Sequence, residues 1–191
     1  EIKHSSIESI TNQADDLITQ SVNQQLLSDA PLGAFLSGGI DSSLIVSIAS
    51  KLRNNIDTFT VGFDYQHYDE SKYANEVSKH LNTNHHTYFC SKKDTLDIIP
   101  SLYDSYSEPF ADSSQIPTLL ISQIASNKVK VALSGDGGDE LFGGYNRYLF
   151  ANKYWHIINF LPSNIRNFII EIFEKIPNHL QIFILNSLFF R

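Results

Sequence analysis

The sequence predicts an α/β fold, a parallel β-sheet flanked by helices with a helical segment at the C-terminal end. Three observations point there. Short runs of β-forming residues alternate with stretches at helical spacing, two of those runs lead directly into glycine-rich loops, and from about residue 151 the strand signals stop. Strands that alternate with helices are joined by right-handed crossovers and lie parallel, so their C-terminal ends line one edge of the sheet.

Each element has its own signal. Ile7, Ile10, Ala14, Leu17, Ile18 and Leu26 stand at mostly helical spacing among Ser, Asn, Gln and Asp, an amphipathic helix that ends before Pro31. Gly33-Ala34-Phe35-Leu36 runs into Gly38-Gly39, and Leu44, Ile45, Ile48, Ala49 and Leu52 then restore the helical period, which reads as strand, tight loop, helix. Residues 58–63 are rich in β-formers, and Tyr73, Ala74, Val77 and Leu81 mark the next helix. A strand over 86–90 follows, then a helix around 95–106, an irregular Glu108-Pro109-Phe110 link, a helix over 116–125 and a buried strand over 129–133. From Asn152 onward aromatic and branched apolar residues dominate, with Pro162 and Pro177 punctuating two or three helices. We expect residues 1–150 to form the core and 151–191 a helical extension of the same domain.

Composition narrows the class. At 191 residues the chain suffices for one domain, and 42% hydrophobic with 18% charged residues is ordinary for globular proteins. A net charge of -7 without a Lys/Arg run gives no electrostatic footprint for nucleic acid or an anionic membrane. Cys90 is the sole cysteine, which excludes an internal disulfide and a cysteine-based zinc cluster and fits a cytoplasmic location. The longest apolar stretch, 180–190, is shorter than the roughly 18 residues of a spanning helix and carries Asn186 and Ser187. A sequence opening at Glu1 and lacking Met is expected to be a piece of a longer protein.

Two glycine-rich segments carry the chemistry. Ser37-Gly38-Gly39-Ile40-Asp41-Ser42-Ser43 lies between a strand and a helix, where glycines let backbone N–H groups approach phosphate and the helix N-terminus favours negative charge. It lacks the lysine of a Walker A loop and is not G-x-G-x-x-G. Asp41 stands where phosphates would lie, which makes sense if a cation such as magnesium lies between them; the plainer alternative is a Ser/Asp-rich helix cap. Ser134 to Tyr145 (SGDGGDELFGGY) is the second segment, again after a strand, with Asp136, Asp139 and Glu140 within five residues. Their mutual repulsion favours a bound divalent cation, or else a solvated acidic turn.

SGGIDSS together with LSGDGGDELFGGYNRY resembles the synthetase domain of the glutamine-dependent asparagine synthetases, within the N-type ATP pyrophosphatase (PP-loop) group. The likeness extends through residues 58–63, Asp69-Glu70, His85-His86 and 108–117, and fades in the last forty residues. It implies an adenine nucleotide α-hydrolase-like, Rossmann-like sheet. By the same resemblance Ser37, Gly38, Gly39, Asp41, Ser42 and Ser43 hold the phosphates of ATP, and backbone groups at Leu36, Val61, Gly62, Ser134 and Gly135 position the adenosine. Asp41 and Asp139 then bind Mg2+, Asp136 serves the acyl-adenylate chemistry, and Asp112, Ser113, Ser114 and Tyr145 lie where relatives contact the amino acid. Ser113 has the alternative of capping the helix that follows.

The implied reaction is ATP-dependent amide formation, with adenylation of the side-chain carboxylate of aspartate and transfer of ammonia to give asparagine, AMP and pyrophosphate. The family's glutaminase domain, which delivers ammonia, and a downstream phosphate-binding lysine do not occur in these 191 residues, and the isolated sequence need not retain activity. Other readings are a PP-loop enzyme acting on a different carboxylate, a nucleotide-binding module without catalysis, and an aromatic tail (Trp155, Phe160, Phe168, Phe173, Phe183, Phe189, Phe190) serving as a partner surface. A homodimer is also compatible. His85 and His86, adjacent on a strand, point to opposite faces and are expected to be structural, and Cys90 to be a small buried apolar residue.

Overall fold

The computed structural model describes residues 6–63, 69–108, 112–146, 148–149, 155 and 159–181. The chain forms two compact units, Glu1–Asp136 and Gly137–Arg191.

In the first unit, β1 (Leu32–Phe35) pairs in parallel with β2 (Asp57–Phe63) on one side and with β4 (Val131–Leu133) on the other, and β3 (Asn84–Cys90) pairs in parallel with β2. The order is β3-β2-β1-β4. The chain therefore moves outward from β1 to β3 and returns to the opposite side of β1 for β4. That reversal creates a topological switch point beside β1, outside the C-terminal ends of the strands.

Side chains divide by the two-residue strand period. Leu32, Ala34 and Leu36 join Val46, Ile48 and Ala49 of α2 (Ile40–Leu52), Ala74 of α3 (Ser71–Leu81) and Val22 of α1 (Ile7–Gln25) in one core. On the opposite face Phe59 packs with Phe35, Tyr88, Val129 and with Ile121 and Ala125 of α6 (Gln115–Ala125). A third cluster joins Cys90, Ile98 and Leu120 to Val61 and Phe63, so Cys90 is the buried apolar residue its surroundings require. α4 (Lys92–Asp97) and α5 (Ser101–Ser105) lead from β3 to α6.

Several expectations shift in detail. Only the second half of α1 reaches the core; Ile18 and Leu26 pack beside Val22, while Ile7, Ile10 and Leu17 are exposed. α1 packs on α2. The single helix expected around 95–106 is two, because Pro100 has no N–H to continue the hydrogen-bond ladder. β4 is three residues long and on the sheet edge among the described strands, so Val131 is exposed instead of buried; the buried residue of that segment is Val129, just before the ladder. β3 starts two residues early, since the Asn84 amide donates to the Ile56 carbonyl at 3.0 Å and its side chain to Asp57 Oδ1 at 2.5 Å. Tyr73 is exposed although its neighbour Ala74 is fully buried. Pro109 and Phe110 of the expected irregular link lie outside the described residues.

His85 and His86 face opposite sides, as adjacent strand residues must. His86 Nε2 meets Asp57 Oδ1 at 2.8 Å and its ring stacks on Phe59 with centroids 5.2 Å apart. His85 Nδ1 lies 2.9 Å from Thr58 Oγ1, which lies 2.9 Å from Thr83 Oγ1, which donates to Ser78 Oγ at 3.1 Å. Each hydroxyl has one proton. Thr83 gives its own to Ser78, so Thr58 must donate to Thr83, and His85 Nδ1 must donate to Thr58. The imidazole is thereby held as the Nδ1–H tautomer, and its Nε2 is buried without a partner among the described residues. Burial, followed by the neighbouring His86, lowers the pKa of His85 below its ordinary value.

The second unit contains α7 (Gly138–Phe142) and, further along, α8 (Ser163–Glu174), whose N-cap is Pro162. Trp155, Phe160 and Phe168 of the aromatic tail are exposed; Phe183, Phe189 and Phe190 lie outside the described residues. No helix among the described residues is long and apolar enough to cross a membrane.

Two outcomes are expected. Phe59→Ala removes a fully buried ring between two elements and should lower unfolding free energy by about 3–5 kcal/mol in urea titration. Because the folded-state pKa of His85 is depressed, the unfolded chain binds more protons than the folded one below about pH 6.5. The stabilisation is complete above that pH and is lost as pH falls through the folded-state value. Urea midpoints at pH 7.5 and 5.5 should differ less in His85→Gln than in the unsubstituted chain.

Candidate functional site

The loop after β1 is built by close backbone approach. Leu36 donates its amide to the Phe59 carbonyl at 2.9 Å, extending the sheet one residue beyond the strand, and its side chain is buried. Gly38 then takes φ +85°, in the left-handed region. A Cβ on Gly38 would stand 2.6 Å from Tyr73 Cβ and 2.7 Å from the Ala74 nitrogen, so α3 lies directly against the loop. A glycine here satisfies both the dihedral and the packing.

Hydroxyls organise the loop from within. Ser42 Oγ accepts the Ser37 amide at 3.2 Å and lies 3.0 Å from Ser37 Oγ, which in turn accepts the Gly39 amide at 3.2 Å. Ser37 and Ser42 thus serve first as scaffold for the turn. Ser43 differs: its Oγ is buried and has no hydrogen-bond partner among the described residues.

α2 starts at this loop with Gly39 as N-cap and no side chain capping it. The amides of Ile40, Asp41 and Ser42 fall in its first turn, where helical geometry supplies no acceptor, and none bonds to another described residue. These donors and the positive end of the helix dipole form an anion-binding surface. Asp41, half-buried in that turn, adds a carboxylate oxygen.

The loop after β4 reaches the same place. A Cβ on Gly135 would lie 2.6 Å from the Ser42 nitrogen and 2.9 Å from the Asp41 carbonyl carbon, so the chain between Ser134 and Asp136 presses against the first turn of α2. The structure thereby joins residues 36–43 with Ser134, Gly135 and Asp136. Val61 and Gly62 stand at the C-terminal end of β2, on the same sheet edge.

Other expected residues have local partners. Asp112 Oδ1 accepts the Ser114 amide at 2.8 Å, which holds its carboxyl below the usual range; the N-cap of α6 is Ser114, without a side-chain cap, so Ser113 does not cap the helix. In the second unit the Tyr145 hydroxyl donates to Glu140 Oε1 at 2.5 Å, and the Asp139 side chain lies against Gly144. The contact of Tyr73 and Ala74 with Gly38 had no signal in the sequence, where both residues register only as helix formers.

The donor set suits a nucleotide triphosphate with magnesium. Unpaired amides and the buried Ser43 hydroxyl offer donors to phosphate oxygens. No group of three or more His, Cys, Asp or Glu able to hold a metal occurs among the described residues. Magnesium characteristically takes only one or two carboxylates and completes its shell from phosphate oxygens and water, which Asp41 beside this anion surface matches.

The two loop glycines should respond differently to substitution. Gly38→Ala should destabilise the fold by at least about 1–2 kcal/mol through its left-handed φ, with the clash against α3 in addition. Gly39→Ala, whose Cβ would meet only Ser37 Oγ at 3.3 Å, should change the urea midpoint little.

Comparison with known proteins accords with this architecture. Residues 13–185 match the asparagine synthase family. Asparagine synthetase (glutamine-hydrolyzing) 1 of Bacillus subtilis (strain 168) is 35% identical over 175 residues, covering 90% of this chain and 27% of that protein. The putative asparagine synthetase (glutamine-hydrolyzing) 2 of Methanocaldococcus jannaschii is 39% identical over 159 residues, covering 82% and 30%. The chain thus spans less than a third of the length of these curated relatives. Among solved structures, NMN synthetase from Francisella tularensis superposes with a TM-score of 0.50 at 19% identity, covering 70% of this chain and 58% of that one, a likeness of fold. The sheet is the adenine nucleotide α-hydrolase-like arrangement. With the family matched across both glycine-rich loops and most of the sheet, this chain belongs to the asparagine synthase family.

Proposed function

We propose that the chain is the ATP-binding, amide-forming part of an asparagine synthetase. One observation carries this reading: the unpaired amides at the start of α2 and the buried, unpartnered Ser43 hydroxyl converge where the loops after β1 and β4 meet. Asp41 is read as a magnesium ligand and Asp139, in the second unit, as the other. Magnesium would supply neutralisation of the phosphate charge. Residues 151–191 are read as a helical extension of the same synthetase domain, and the cytoplasm as its location.

In this reading the side-chain carboxylate of aspartate attacks the α-phosphorus of ATP, an oxygen–phosphorus bond forms, and pyrophosphate leaves. Ammonia then attacks the activated carbonyl and AMP departs, giving asparagine. The chain's own contribution is positional and electrostatic. The Ile40, Asp41 and Ser42 amides and the Ser43 hydroxyl are fixed before the ligand arrives, so little reorganisation opposes binding of the developing charge. Asp136, one residue beyond the Gly135 contact with α2, is read as the residue serving the acyl transfer, and Asp112, Ser113, Ser114 and Tyr145 as its aspartate-side surroundings. Ammonia would come from a glutaminase domain such as the names of the relatives imply.

The test is exchange of labelled pyrophosphate into ATP, with aspartate and a panel of other carboxylic acids. Exchange that requires aspartate and vanishes in Asp41→Asn supports the reading. Exchange with another acid alone overturns the choice of aspartate, and ATP binding with no exchange for any acid turns the assignment to a binding module. Ser43→Ala, which removes an unpartnered buried hydroxyl, should leave the fold at least as stable and weaken ATP binding by about tenfold, measured by calorimetry.

A further inference from the structure

The turn after α7 is built around one residue. The Asp139 carbonyl accepts two amides, that of the C-cap Gly143 and that of Gly144 at 3.0 Å, so the chain folds back over the start of the helix. Gly143 takes φ +69°, which favours glycine for the backbone alone. Gly144 has no positive φ, and its backbone does not call for glycine.

What calls for glycine at 144 is the Asp139 side chain. A Cβ there would overlap Asp139 Oδ1 outright and stand 3.0 Å from its Cγ. Turning the carboxylate about χ2 moves only the oxygens and leaves the tight Cγ contact, so relief requires rotation about χ1. A step to the neighbouring staggered well carries Cγ by roughly 2.5 Å. The empty position at 144 thereby fixes where the Asp139 carboxylate lies.

The two adjacent acids differ in what they are free to do. Glu140 Oε1 accepts the Tyr145 hydroxyl. The side chain of Asp139, a half-buried residue, accepts no hydrogen bond from a described residue, so its lone pairs stay open to a cation. Magnesium holds its ligands at about 2.1 Å in a near-ideal octahedron and tolerates little displacement of a carboxylate.

We propose that Gly144 is a positioning residue for magnesium: by carrying no side chain, it keeps the Asp139 carboxylate in the rotamer that ligates the ion. The inference deepens the reading of Asp139 above and rests on it. The family resemblance gave Gly144 no role.

Calorimetric ATP binding by the full chain, followed across a magnesium titration, tests this. In Gly144→Ala the magnesium concentration needed for half-maximal tightening of ATP binding should rise by about tenfold or more, with the urea midpoint little changed. Asp139→Ala should raise it as well, and Gly144→Ala added to Asp139→Ala should change nothing further, a non-additivity that a merely structural role would not produce. An unchanged magnesium requirement in Gly144→Ala, loss of its urea transition, or a rise that adds in full to that of Asp139→Ala overturns the positioning role and leaves the reading of Asp139 standing. An unchanged requirement in Asp139→Ala overturns that reading and this inference with it. No ATP binding by the unsubstituted chain overturns the nucleotide reading beneath both.

Discussion

The parallel pairing of β1 on both sides is the constraint on which the site depends. Four residues carry ladders to β2 and β4, and because all these strands run the same way, the loops that follow them emerge on one edge. An antiparallel neighbour on either side would have sent its loop to the opposite edge. The approach of Gly135 to the Ser42 amide follows from that pairing.

A second layer of support comes from α3. Its buried face, Ala74 and Ser78, is narrow, so the helix settles close to β2 and brings its first turn against Gly38. The loop is therefore held between two rigid elements instead of by its own hydrogen bonds alone. Ser37 and Ser42 fix its curvature, which leaves the first-turn amides of α2 and Ser43 to face a ligand. The division of labour among three serines of one short motif is visible only from their partners.

How far the sequence revealed this depends on the range of the interaction. Glycine pairs after apolar runs made both loops and their neighbouring elements legible, since φ preference and hydrophobic period act over a few residues. The structural roles of His85 and His86 followed from the alternation of side chains along a strand. What escaped was set by packing across the sheet: the exposure of Val131 comes from its edge position, and Tyr73 left the core because α3 turns only a narrow face inward. Pro100 was visible, but its division of one helix into two was overridden by a periodic apolar pattern on either side. The touch between Gly38 and Tyr73 joins residues thirty-five positions apart and left no local mark.

The hydroxyl row from Ser78 through Thr83 and Thr58 to His85 has an evolutionary consequence. Each donor in it faces one acceptor, so replacing a single member by an apolar residue strands its neighbour's proton or lone pair in the interior. Single-step drift at these four positions is therefore costly, whereas exchange of the entire row for apolar residues is not. Across related sequences the four should be inherited as one character, present together or lost together.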